Sequence, residues 1–371
     1  MWDWYRQAAE TGIALNAGRS GKLQQKRHAL ATRMKDREAG YLRFARDLRI
    51  PFSNNAAEQS IRMCKQKISG CMRSMTDPVG LGRALLNLSD VVTGTDPAAG
   101  AEAARAAADH SRRAGARDLL AVAVTNLAQA LLMTGDWDAA GAELAQAADA
   151  DGLADSEFLA CYRAWVAALR GDAPAAQAYL AGLGDLRASE DPQDQAAIAV
   201  AEAFTAAALG PPDAALRHAR AALDHGAALG TGHESLRWAW PLAARAAHDL
   251  ADTAATTELL ALLDGCPPGH LAPMQRAERD LARARLAAGD GAPDAGPAFT
   301  AAITGLRQHS TPYHLAHGLL DHAADLTARG DAQAAAAAIG EATSIAARLG
   351  CQPLLDRAGS IQSARPRTPT S

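Results

Sequence analysis

The stretch Asn126-Leu127-Ala128-Gln129-Ala130-Leu131-Leu132-Met133-Thr134-Gly135-Asp136-Trp137 closes one helix and opens the next. Leucine and alanine at helical spacing dominate it, and no β-branched alternation competes. Gly135 ends the first helix by taking the left-handed conformation that a β-carbon disfavours. Asp136 then caps the second helix by accepting its free backbone N–H groups. The same punctuation recurs at Gly94-Thr95-Asp96, Gly171-Asp172, Gly210-Pro211-Pro212-Asp213, Ala251-Asp252, Gly289-Asp290 and Gly330-Asp331. Successive aspartates stand about 40, 36, 41, 39, 38 and 41 residues apart, a period that means repeated pairs of helices.

This period is close to the tetratricopeptide length and a little longer. It predicts an all-α fold in which six or seven helical hairpins over residues 77–362 stack as a tetratricopeptide-like α-solenoid. After each turn comes an alanine and then a further apolar residue one helical turn on, as in Ala140-Leu144-Ala147 and Ala215 followed by Ala219. Small residues let helices approach, and Leu127, Leu131, Phe158, Tyr162, Trp165, Phe204, Trp238 and Trp240 are expected to fill the spaces between them. Trp238 and Trp240 are two apart and so point to different sides of a helix, one toward the core and the other toward a groove. Residues 363–371, with Pro366 and Pro369, read as a disordered tail.

Outward toward the N-terminus the character changes. Residues 1–76 hold 15 Lys/Arg against 6 Asp/Glu, and residues 77–371 hold 22 against 35. All five lysines (Lys22, Lys26, Lys35, Lys65, Lys67) lie in the first piece, so lysine usage marks a seam near residue 76. In that piece Leu23, Leu30, Met34, Tyr41, Ala45 and Leu48 predict one face of an amphipathic helix over residues 22–49, which Pro51 ends. Asn55 as N-cap with Glu58 at N3 forms a capping box that opens a second helix over residues 56–67.

The runs Tyr41-Leu42-Arg43-Phe44-Ala45-Arg46-Asp47, Pro51-Phe52-Ser53-Asn54-Asn55-Ala56-Ala57-Glu58-Gln59-Ser60-Ile61-Arg62-Met63-Cys64-Lys65 and Lys67-Ile68-Ser69-Gly70-Cys71-Met72-Arg73-Ser74 resemble the C-terminal end of the insertion sequence 66 family of transposases. The resemblance covers about a fifth of the chain. It implies the end of an RNase H-like fold with an Asp-Asp-Glu centre, in which Glu58 holds the place of the third metal-binding carboxylate. It also implies phosphate contacts by Arg62, Lys65, Lys67 and Arg73, and DNA as a partner through residues 22–73. Two-metal phosphoryl transfer needs several carboxylates converging on a magnesium pair roughly 3.5–4 Å apart. Among the aspartates beside Glu58, Asp3, Asp36 and Asp47, the last two sit in a helical pattern and not at strand ends. The expectation is a truncated, catalytically incomplete transposase end, inactive alone and holding no magnesium productively. A DNA-binding accessory that completes a core supplied by another chain is the alternative.

Residues 77–371 resemble the helical-repeat tail of actinobacterial regulators with an AAA-type ATPase or a nucleotide-cyclase module. The segments that carry this are residues 126–137 and Cys351-Gln352-Pro353-Leu354-Leu355-Asp356-Arg357-Ala358. No lysine follows Lys67, so no phosphate-binding G-x-x-x-x-G-K-[ST] loop exists there. The resemblance implies a chimera whose solenoid binds a protein or peptide on its concave face, or senses a small ligand. No cofactor is expected. His314, His317 and Asp321 share one helix face at i, i+3 and i+7, a spacing open to metal ligation, although packing histidines are the commoner reading and no metal is expected. Five scattered cysteines without a C-x-x-C spacing fit a reducing cytoplasm. The longest uncharged run, residues 119–135, falls short of the about 20 apolar residues of a membrane span.

Overall fold

The computed structural model describes residues 2–18, 21–36, 38, 78–266 and 271–363. Every element among them is helical, and no strand occurs among the described residues. The expected helix from Lys22 is present as far as Asp36. Its continuation to residue 49, the loop at 51–55, the helix over 56–67 and the tail from 364 lie outside the described residues.

Helices α1 (Trp2–Asn16) and α2 (Lys22–Asp36) pack on one another, with the Arg6 guanidinium 2.9 Å from the Glu38 carboxylate. The chain then runs through α3 (Pro78–Thr93), α4 (Pro97–Ala114), α5 (Arg117–Thr134), α6 (Trp137–Asp149), α7 (Glu157–Arg170), α8 (Ala173–Ala181), α9 (Gly184–Ala188) and α10 (Pro192–Leu209). It continues as α11 (Pro212–Leu223), α12 (Gly226–Leu229), α13 (Glu234–Asp249), α14 (Thr253–Asp264), α15 (Pro273–Gly289), α16 (Ala295–His309), α17 (Pro312–Ala328), α18 (Ala332–Leu349) and α19 (Gln352–Ser363).

The predicted turns do the predicted work at most positions. The carboxylates of Asp96, Asp136, Asp172, Asp252 and Asp331 accept the N–H groups of Ala99, Ala139, Ala175, Ala255 and Ala334 at 2.8–3.4 Å. Each such cap stabilises its helix by about 0.5–2 kcal/mol. Two turns differ. Asp213 lies inside the first turn of α11, whose N-cap is Pro211, and Asp290 follows α15 as a C-cap while the next helix starts at Ala295. Pro212 explains the first case, since it has no N–H to be capped and its ring already fixes helical φ.

Consecutive helices pack as pairs, and alternate helices form a row of their own. In the order α3, α5, α7, α10, α13, α15, α17, α19, each member touches the next. The row also closes on itself, because α7 touches α19. Bare backbone makes the closure possible at two turns. Gly135 has φ 86°, and a β-carbon there would stand 3.0 Å from Pro312 and 3.3 Å from Leu349. Gly171 has φ 90°, and its β-carbon would stand 2.9 Å from Pro353.

Aromatic side chains from the row, joined by Trp137 of α6, meet in the middle. Trp165 meets Trp238 edge to face at 4.9 Å, Trp137 lies 5.8 Å from Tyr313, and Phe204 lies 6.3 Å from Tyr313. One continuous apolar core therefore extends from Ala101 to Ala358. The expectation that one of Trp238 and Trp240 faces an open groove is corrected: both are fully buried. Trp240 donates its Nε1–H to the Leu259 carbonyl at 2.8 Å, which satisfies its polar edge inside the protein. No helix among the described residues is long and apolar enough to cross a membrane.

Candidate functional site

Where the inner row closes, α7, α10, α11, α13, α17 and α19 surround a cavity of about 150 Å³. Most of its wall is apolar, with Leu169, Phe204, Leu242, Ala246 and Pro353 prominent. Its polar groups are Arg245, Asp249, Tyr313, His317 and Arg357. Gly210 and Asp249 are exposed and form the rim, while Arg245 and Arg357 are half-buried in the wall. A roomier cavity of about 320 Å³ lies beside Trp240. Its one amide, Gln275, is already engaged with the Thr231 carbonyl at 2.6 Å and the Ala272 N–H at 3.0 Å, so no polar group there awaits a ligand.

Around the smaller cavity, charges from four helices converge. Asp321 on α17 is buried and accepts from Arg285 of α15, whose Nε stands at 2.7 Å, and from Arg357 of α19. Burial alone would lift the Asp321 carboxyl, but the two guanidiniums outweigh it and hold it down at about 2. Arg245 of α13 donates to the Tyr313 hydroxyl at 3.1 Å. One turn on from Tyr313, His317 stands between two arginines: its Nε2 is 2.5 Å from Arg245 Nη1 and its Nδ1 is 3.0 Å from Arg357 Nη1. Burial, and then the two guanidiniums, push the imidazole well below its ordinary range, so it is neutral at physiological pH. His314, 2.6 Å from the Thr311 hydroxyl, is pushed down to about 3, by burial and then by Arg245 and Arg285. Glu278 on α15 is lifted by burial to about 7, and its carboxyl receives the Ser310 hydroxyl at 3.3 Å.

The sequence spacing of His314, His317 and Asp321 is thus a real shared face, with a different use from metal ligation. Two arginines occupy the Asp321 oxygens and both His317 nitrogens face guanidinium groups. Among the described residues no group of three or more His, Cys, Asp and Glu side chains is arranged to hold a metal ion. Cys161 is also unsuited to attack: burial, with Glu202 and Glu234 adding to it, lifts its thiol to about 12.

Sequence reasoning missed Arg245, Arg285 and Arg357. A signal existed for one of them, since Arg245 is a lone charge inside Ala243-Ala244-Arg245-Ala246-Ala247. The residues singled out in the basic piece, Glu58, Arg62, Lys65, Lys67 and Arg73, lie outside the described residues. No curated protein matches the chain. The family model described as "Transposase IS66 family" matches residues 5–77, the basic first piece, and ends at the compositional seam.

Proposed function

We propose that residues 77–362 form a helical-repeat module that senses a small ligand, joined to a segment of insertion sequence 66 family transposase descent. The observation that carries the ligand reading is the closure of the inner helix row over a cavity into which Arg245, Tyr313, His317 and Arg357 project. Aromatic side chains fill the middle of the helix array, where Trp137 and Phe204 meet Tyr313 and Trp165 meets Trp238. That geometry favours a small molecule over the peptide expected on a stacked solenoid. It fits the repeat tail of a signalling regulator.

A specific test fills the cavity mouth. Ala208 lines it and is half-buried, so Ala208→Trp blocks entry without opening the core. The low-molecular-mass fraction of a cell extract is expected to raise the melting temperature of the native chain and not that of the variant. Equal shifts in both, or stabilisation by peptides alone, would turn the reading back to a protein-interaction scaffold.

For residues 1–76 the family match supports transposase descent, and the agreement between its end and the loss of lysine near residue 76 supports an in-frame joining of two genes. The basic excess of that piece is the source of any remaining DNA affinity, through Arg62, Lys65, Lys67 and Arg73. Titrating a labelled duplex at two salt concentrations tests it, since phosphate contacts weaken steeply with salt. Magnesium-dependent strand transfer by this chain alone, abolished by Glu58→Ala, would show a working catalytic centre in it.

A further inference from the structure

We propose that the cavity lined by Arg245, His317 and Arg357 binds a small organic monoanion, a carboxylate with a short apolar body, gripped between the two guanidiniums. The inference rests on the ligand-binding reading above and gives the ligand's chemistry.

The first support is a count of donors and acceptors. Arginine donates only, and a neutral imidazole has one lone pair. Yet guanidinium nitrogens face both ring nitrogens of His317, at 2.5 and 3.0 Å. One of these contacts therefore sets N–H against N–H, and one guanidinium lacks an acceptor there. Asp249 is exposed at the rim, and the buried acceptors already serve other donors. Of the two Asp321 oxygens, Oδ2 receives Arg285 and Oδ1 receives Arg357, while the Tyr313 hydroxyl receives Arg245. A ligand oxygen in the cavity gives the guanidinium that faces the ring N–H an acceptor in its place.

Charge points the same way. In the cavity wall itself two guanidiniums, Arg245 and Arg357, stand against one carboxylate, that of Asp249 at the rim. His317, the imidazole of that wall, is neutral. The surplus is a single positive charge beside a largely apolar wall, where an unbalanced charge is poorly solvated. A monoanion neutralises it, whereas a dianion would reverse it. A carboxylate also matches the planar fork of a guanidinium. The remaining wall, Phe204, Leu242, Ala246 and Pro353, has nothing to offer a second polar group and suits a few methylenes.

The test is calorimetric titration of the full chain with n-butyrate, butyramide and inorganic phosphate. Butyrate is expected to bind at a single saturable site, with butyramide and phosphate weaker by about ten-fold or more. Arg245→Met and Arg357→Met should each weaken butyrate by a similar factor, whereas Arg307→Met, at an exposed arginine paired with Glu341 2.6 Å away, should leave it unchanged. If an Arg→Met chain does not fold, hydrogen exchange of the native chain replaces it, with butyrate protecting amides of α13 and α17. Butyramide binding as tightly as butyrate, blocked by Ala208→Trp, would overturn the anion assignment while leaving the ligand reading intact. Phosphate binding more tightly than butyrate would overturn the choice of a carboxylate. Absence of binding by all three probes would overturn the inference, and the extract experiment then decides separately whether the cavity takes another ligand.

Discussion

Asp321→Asn removes the negative charge that Arg285 and Arg357 share while keeping the size of the side chain. The Asp321 side chain is 1% exposed and that of Arg285 4%, so water replaces little of what is lost. A carboxyl at about 2 instead of 3.8 corresponds, at about 1.36 kcal/mol per unit, to roughly 2–3 kcal/mol favouring the ionised form in the folded state. The substitution also leaves a buried guanidinium without a counter-charge, and breaking such a pair from one side costs about 3–5 kcal/mol. Urea unfolding at pH 7 should show a loss in that range. The double variant Asp321→Asn with Arg285→Met should recover about half of it, because the stranded cation is gone. The carboxyl is depressed in the fold, so its contribution is complete above the unfolded value of 3.8 and disappears as pH falls through about 2. The gap between native and variant chains should therefore narrow with acid. A loss below about 1 kcal/mol at pH 7, the size of a surface pair, would refute the reasoning, as would a double variant no more stable than the single one.

Glu278 has the opposite sign. Its carboxyl is lifted from 4.5 to about 7, so folding holds its proton and stability falls as pH rises between those values. Glu278→Gln should stabilise the chain by roughly 1–3 kcal/mol at pH 8 and by nothing at pH 4, read from urea midpoints at both pH values. Ala251 holds φ 54° where Gly135, Gly171 and Gly330 stand at the equivalent turns, and Ala251→Gly should gain about 0.5–1 kcal/mol by thermal unfolding despite the entropy of glycine. Asp331→Ala removes the side-chain acceptor for the Ala334 N–H and should cost about 0.5–2 kcal/mol, with the loss appearing as faster amide exchange in the first turn of α18.

The helix period and its punctuation were legible because they are local. Glycine and aspartate act on the turn that contains them, and a reader of the sequence can place both. Pro212 shows the limit even there, since a proline shifted the cap away from Asp213. Closure of the inner row was not legible. It depends on the angle each helix pair makes with the next, summed along the chain, and it appears only when Gly171 comes against Pro353 and Trp137 against Tyr313. The site inherited that difficulty. His314, His317 and Asp321 announce themselves by spacing on one helix, but Arg245, Arg285 and Arg357 arrive from three others, and their arrival changes a metal-like pattern into a cationic pocket. Glu58 and the basic residues after it were read from an ordered motif, and the family match over residues 5–77 spans that stretch.

The most direct measurement is an anomalous difference map from a crystal of the full chain soaked in bromide. A bromide peak in the cavity, within hydrogen-bonding reach of the Arg245 and Arg357 guanidiniums, is the expected result. Bromide bound at surface arginines with the cavity empty would contradict it.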